Sequence, residues 1–364
     1  VCSSDLMTAR ATARCDGLAA KGLVTGADTA ARAQDALNKL RAFGWTPETD
    51  QMHNAHYALG NGPILSAMYP VSYGRFAVDA NVCNTSFAAV NTTGVPVAIS
   101  PTALAQSFAT ANGTSNGTPV SVVYNDSVGG AKSWQFAVSP STGVADFGLD
   151  NALCQRALVT GIDPVSGTTL TAGSTPSKVQ SDAVRAGIAE VVLNGNLRGK
   201  PTIIVSGRSD ALIPVNNNSR AYTAYNRVVE GNASQLRYIE VTNAQHFDTF
   251  IDLLPGYDSR IVPLHVYFNQ ALDLMYAHLK TGAPLPAGAN AAAVGGTTAG
   301  WASAPTATTA AIAPSSTVTR PYRLMCDPSS AIRGGNPPLS DRDFSGVARR
   351  PRTNRLIRPR HDGN

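Results

Sequence analysis

The sequence predicts an α/β fold built on a parallel sheet. Three observations in its second half carry that expectation. Residues 202–205 are continuously apolar and β-branched, as strands buried on both faces tend to be, and 236–241 reads as the following strand. Helical patterns cover 181–193, 214–230 and 261–280. They alternate with the strands, and that alternation builds parallel sheets because each parallel pair needs a long crossover.

The elements follow in order. Over 28–44, Ala33, Ala36, Leu37, Leu40 and Phe43 recur at helical spacing, and Gly44 stands where such a helix ends. An Ala-rich helical character continues to about Tyr57, and 73–91 carries no clear pattern. A short helix is expected over 101–109 and a short strand over 119–125. Residues 126–180 are rich in Gly, Ser, Thr and Pro, which is long for a connection and points to a cap or an elaborated loop region.

From 181 the first helix places Val184, Ile188, Val191 and Val192 on one side. The second is expected to be capped by Asn216, Asn217 and Asn218 and to bury Tyr222, Tyr225 and Val229. The third repeats Leu264, Phe268, Leu272, Met275 and Leu279, and Gly282 and Pro284 stop it. Residues 287–319 hold too little bulky apolar content to offset ordering entropy, so disorder is expected there. The organisation read from this is a helical cap or insertion region (1–95), a loop-rich segment with a short strand (96–180), the C-terminal part of an α/β core (181–286) and a disordered, non-native tail (287–364).

Charge and cysteines narrow the function classes. The net charge is +5, but ten Arg and four Asp fall in 320–364, leaving 19 basic and 20 acidic residues elsewhere. The tail cluster of Arg349, Arg350, Arg352, Arg355, Arg358 and Arg360 lacks the aromatic interleaving of a nucleic-acid surface, so no nucleic-acid partner is expected. No apolar stretch approaches the roughly 18 residues of a membrane span. Cys2, Cys15, Cys83, Cys154 and Cys326 show no zinc spacing. One disulfide among Cys15, Cys83 and Cys154 is expected, with the pair left open.

The chemistry lies at two strand ends. Asp210 falls five residues past Val205, and His246 falls five past Val241. In a parallel sheet both loops reach the same rim, where Asp210 can hold one ring nitrogen of His246 and leave the other for a nucleophile. Chain order Asp then His matches the last two members of an α/β-hydrolase triad. Asp248 and Asp252 are rival acids, assigned instead to turn or helix capping. The nucleophile is missing: Ser115 sits in a letter match to G-x-S-x-G at 113–117, but a polar loop precedes it and a strand follows, the reverse of a nucleophile elbow. Ser209 reads as a polar loop residue. His53 and His56 form no recognisable metal pattern and read as structural or substrate-contacting, while His265 and His278 read as surface residues.

Longer runs carry a resemblance. These are GNLRGKPTIIVSGRSDALIPVN at 195–216, NAQHFD at 243–248 and PLHVYFNQALD at 263–273, with HYAL at 56–59, YGRF at 73–76, SVGG at 127–130 and SPSTGVADF at 139–147. Together they resemble the D-(−)-3-hydroxybutyrate oligomer hydrolases over about 8–286, corresponding to the C-terminal half of that family. The resemblance implies an α/β-hydrolase fold with an inserted cap. It implies a secreted or periplasmic enzyme that cleaves short 3-hydroxybutyrate esters without a cofactor. It puts the family's acid and histidine on Asp210 and His246, and its serine and oxyanion hole in an absent N-terminal half, so that the chain alone is expected to be inactive. Two other readings remain open: a related esterase of the tannase or feruloyl type, and a non-catalytic secreted module whose loop-rich region binds polyester. After 286 no resemblance is recognised.

Overall fold

The computed structural model describes residues 4–58, 60–77, 79–102, 121–286 and 289–291. The expected helix over 101–109 and the 113–117 motif with Ser115 lie outside them, apart from residues 101 and 102.

The C-terminal part is a three-stranded sheet in the order β3 (Thr202–Gly207), β4 (Leu236–Val241), β5 (Ala289–Ala291). All neighbours are parallel, with Val205 opposite Ile239 and Gly207 opposite Val241. The paired strands therefore end level, which sets their following loops side by side. β5 lies inside the stretch expected to lack structure; backbone pairing to β4 needs no bulky side chain, so the composition of 287–319 gave no sign of it. Helix α7 (Ser219–Glu230) joins β3 to β4, and short α8 (Thr249–Leu253) and long α9 (Leu264–Thr281) follow. Ile239, Val241, Ala244, Val262 and Tyr267 form the core here, with Ile203, Val205, Leu264 and Val266 against them.

Two predicted stripes are corrected. Helix α9 buries Tyr267 and Ala271, while Phe268, Leu272 and Leu279 stay 52%, 51% and 69% exposed. Apolar spacing marks a face but does not say which flank of it meets the sheet. Helix α7 buries Ser219, Thr223 and Asn226, and Tyr225 and Val229 face outward. Its buried face is polar because local bonds satisfy it: Thr223 donates to Ser219 O at 2.7 Å and Asn226 to Gly195 O at 2.8 Å. Nor does the asparagine run cap α7. Asn216 and Asn217 instead donate to Gly44 O and Phe43 O, at 2.9 and 3.1 Å, tying that loop to the end of the helix over Thr29–Ala42.

Before the sheet come α1 (Ser4–Ala20), α2 (Thr29–Ala42), α3 (Asp50–Ala58), α4 (Asn61–Tyr73), the antiparallel pair β1 (Thr85–Ala88) and β2 (Ser121–Tyr124), α5 (Leu149–Thr160) and α6 (Lys178–Glu190). Asp28 caps α2 by accepting from Ala31 N at 2.8 Å. Ala11, Ala67, Val122, Tyr124, Trp134, Ala137 and Phe147 share one core, so helices from the first 95 residues and strands and loops from 121–147 pack as a unit. Helix α6 starts three residues before its periodicity suggests, because Ser177 and Gln180 form a capping box. Its Val184 is buried as expected; Val191 and Val192 lie beyond its end and are exposed. Gly187 lets α6 close on α4: a Cβ there would stand 2.0 Å from Tyr73 O.

Cys83 and Cys154 form a disulfide, with Cα atoms 5.7 Å apart, linking the turn before β1 to α5. It closes 71 residues of chain, for which loop entropy gives about 4 kcal/mol. Replacing both with serine should lower stability by about that amount. Urea unfolding of the native and C83S/C154S chains measures it, and a difference under about 1 kcal/mol would contradict the expectation.

Candidate active site

The site forms where β3 and β4 end. Beyond the strands the pairing continues, with Arg208 N donating to Val241 O and Ser209 N to Ala244 O, both at 2.9 Å. This approach depends on Gly207. A Cβ there would lie 2.6 Å from the carbonyl carbon and oxygen of Ala244 and 2.8 Å from Gln245 N, closer than any real contact. Asn243 turns the second loop through a left-handed conformation (φ 59°), which asparagine tolerates better than most residues.

The two loops bring Asp210 and His246 together. Asp210 Oδ2 lies 3.0 Å from His246 Nδ1. Its other oxygen accepts from Leu212 N and Ile213 N, each at 2.8 Å. A carboxylate only accepts, so the ring proton sits on Nδ1 and Nε2 keeps its lone pair. The Asp210 side chain is 12% exposed and that of His246 is 32% exposed. A fixed acid thus holds an imidazole that remains open to a reactant. Phe247 stands edge-on to the His246 ring at 4.6 Å. Gln245 is fully buried and clamps its neighbour's backbone, accepting from Phe247 N at 2.9 Å and donating to Phe247 O.

The rival acids are engaged or turned away. Asp248 accepts from Leu264 N (2.7 Å), His265 N (2.8 Å) and the His265 ring (2.7 Å), so it caps α9, sixteen residues on, rather than its own turn. Asp252 is exposed in the first turn of α8. His265 is exposed as expected, whereas His278 is half-buried with Ala283 O 2.7 Å from its Nδ1. Ser209 is fully buried, and among the described residues its hydroxyl has no hydrogen-bond partner. No three His, Cys, Asp or Glu among the described residues are grouped to hold a metal.

Sequence reasoning missed Glu240. It lies buried on β4 and accepts from Arg208, Arg220 and the Tyr238 hydroxyl. Burial pushes its carboxyl up, but the bonds from Arg220, Arg208 and Tyr238 outweigh that and hold it at about 2. This fixes Arg208, two residues before Asp210. The available signal was an acid inside a short strand that the pattern places in the core of the sheet.

Helix α3 carries two histidines beside this rim, His53 half-buried and His56 buried. Met52, Phe250 and Ile261 pack together and join α3 to α8. Burial pushes His53 down to about 4, against a smaller upward pull from Asp50. His56 is pushed down to about 4 mainly by burial, with Asp210 pulling up and His246 pushing down.

Comparison with known proteins decides the family. The family model described as 3HB-oligomer hydrolase matches residues 2–322. The chain belongs to the 3HB-oligomer hydrolase family. D-(−)-3-hydroxybutyrate oligomer hydrolases from Azoarcus sp. (strain BH72), Paracidovorax citrulli and Ralstonia pickettii are 45%, 47% and 44% identical to it over 275, 280 and 273 residues. Each alignment covers 75% of this chain but only 37%, 37% and 34% of the relative, so the chain spans little more than a third of their length. The family match passes residue 286, where the resemblance in sequence runs was expected to stop. No solved structure matches.

Two outcomes are expected of this chain. Gly207→Val should cost about 3 kcal/mol or more by forcing the loops apart, and should weaken the Asp210–His246 bond. Urea midpoints and the His246 Nδ1 proton resonance report both, and native values for each would contradict the close-approach account. The second outcome concerns acid. His53 and His56 hold protons less well folded than unfolded, so their contribution is fully present above about 6.5 and fades as pH falls toward about 4. Unfolding free energy should therefore drop between pH 6.5 and 4.5, before Glu240 loses its charge, and His53→Gln/His56→Gln should flatten that slope.

Proposed function

We propose that this chain supplies the general base and its orienting acid to a serine esterase of the α/β-hydrolase fold that cleaves 3-hydroxybutyrate oligomers. The observation that carries the reading is the Asp210–His246 bond at adjacent parallel strand ends, in a family whose curated members are named for that hydrolysis. His246 Nε2 takes the proton of a serine as it attacks the ester carbonyl. Asp210 keeps the ring in the Nδ1–H tautomer and stabilises the imidazolium that forms. A 3-hydroxybutyryl-enzyme results. His246 returns its proton to the leaving alcohol and then activates water to release the acid. The chemistry requires no cofactor.

The serine is proposed to come from the part of the family that this chain does not span. Among the described residues no serine hydroxyl is bonded to His246, which supports that assignment. The Cys83–Cys154 disulfide supports action in an oxidising compartment, outside the cell or in the periplasm.

The test joins this chain to the remainder of the Azoarcus relative and measures 3-hydroxybutyrate released from the dimer and trimer. The chimera should turn over; His246→Ala and Asp210→Asn should lower kcat by on the order of 10³- to 10⁴-fold. This chain alone should be slower by a similar or larger factor. Turnover that survives His246→Ala, or equal rates for chain and chimera, would overturn the assignment.

A further inference from the structure

Helix α3 places an imidazole against the catalytic loops for which the mechanism above has no use. His56 is 4% exposed. Asn61 Nδ2 donates to its Nδ1 at 2.9 Å. An amide nitrogen has only protons to give, so Nδ1 is the acceptor and the neutral ring carries its proton on Nε2. That Nε2 is buried and lies within the influence of the Gln245 side chain, but makes no well-formed hydrogen bond among the described residues. A buried donor left without a good partner is destabilising. The neighbours on this side are aromatic: the ring centre is 5.8 Å from Phe247 and 5.4 Å from Phe250. A phenylalanine would fill this corner but would take away the acceptor of the Asn61 amide, so the ring serves Asn61 on one side and faces the rim loops on the other.

What the polar ring does have in reach is the catalytic pair. Phe247, which rests against His56, is the ring standing edge-on to His246 at 4.6 Å and 82°. Asp210 and His246 from the two rim loops, and His53 from its own helix, are the charged or titratable groups whose fields act on His56. The bond to Asp210 pins His246 at one atom and leaves rotation about that bond; a second contact on the ring face is needed to aim Nε2.

We propose that His56 is a positioning residue for His246: through Phe247 it fixes the tilt of the His246 ring against Asp210. The proposal rests on reading Asp210–His246 as the catalytic pair, but its test does not require turnover. The test uses the chain labelled with ¹⁵N-histidine, reading the His246 Nδ1 proton. His56→Ala removes the wedge, and should lose the Nδ1 proton signal to solvent exchange. His56→Phe keeps the wedge, and should restore that signal. Loss in His56→Ala with recovery in His56→Phe supports the role. A native Nδ1 signal in His56→Ala, or no recovery in a folded His56→Phe, overturns it, and if His56→Ala does not fold, His56→Leu takes its place. An inactive chimera would sink the esterase reading and leave this result standing.

Discussion

The site depends on one missing carbon. Gly207 ends β3 where a Cβ would strike the carbonyl of Ala244. With hydrogen there, the two post-strand loops exchange backbone hydrogen bonds, and Asp210 and His246 meet at 3.0 Å. The level ends of β3 and β4 bring the loops to the same height. The glycine closes the last distance.

Beneath the pair, the buried charges each have a partner. Glu240 holds Arg208 and Arg220, and the Tyr238 hydroxyl completes its shell. A buried carboxylate without such partners would cost several kcal/mol or take up a proton. Asp248 serves the first turn of α9, where two backbone N–H groups would otherwise be unpaired. These engagements leave Asp210 as the acid bonded to His246 among the described residues, although three carboxylates lie within eight residues of the two strand ends. The arrangement is a division of labour: Glu240 stiffens the platform, Asp248 starts a helix, and Asp210 holds the His246 ring.

Much of this was legible in the sequence, for identifiable reasons. A β-branched run marked β3, the alternation with helices marked β4, and equal five-residue offsets put Asp210 and His246 at one rim. What escaped detection depends on tertiary contact. Tyr225 and Val229 fit a helical stripe, yet α7 buries Thr223 and Asn226, since satisfied polar groups pack as readily as apolar ones. Asn216 and Asn217 carry cap-forming side chains, but the carbonyls they bind are those of Phe43 and Gly44, more than 170 positions away in sequence. The disulfide partner of Cys83 could not be chosen because pairing is set by the fold. Glu240 was passed over because its meaning lies in Arg208 and Arg220, which periodicity does not connect to it.

The central claim is that His246 Nε2 is the reactive base nitrogen of a hydroxybutyrate esterase, held there by Asp210. A halomethyl ketone analogue of the 3-hydroxybutyrate dimer tests this most directly, applied to the chimera and followed by peptide mass spectrometry. The account predicts alkylation of His246 on Nε2, in step with loss of activity, and much slower labelling in Asp210→Asn. Inactivation with His246 unmodified, or with the label on another residue, would contradict it.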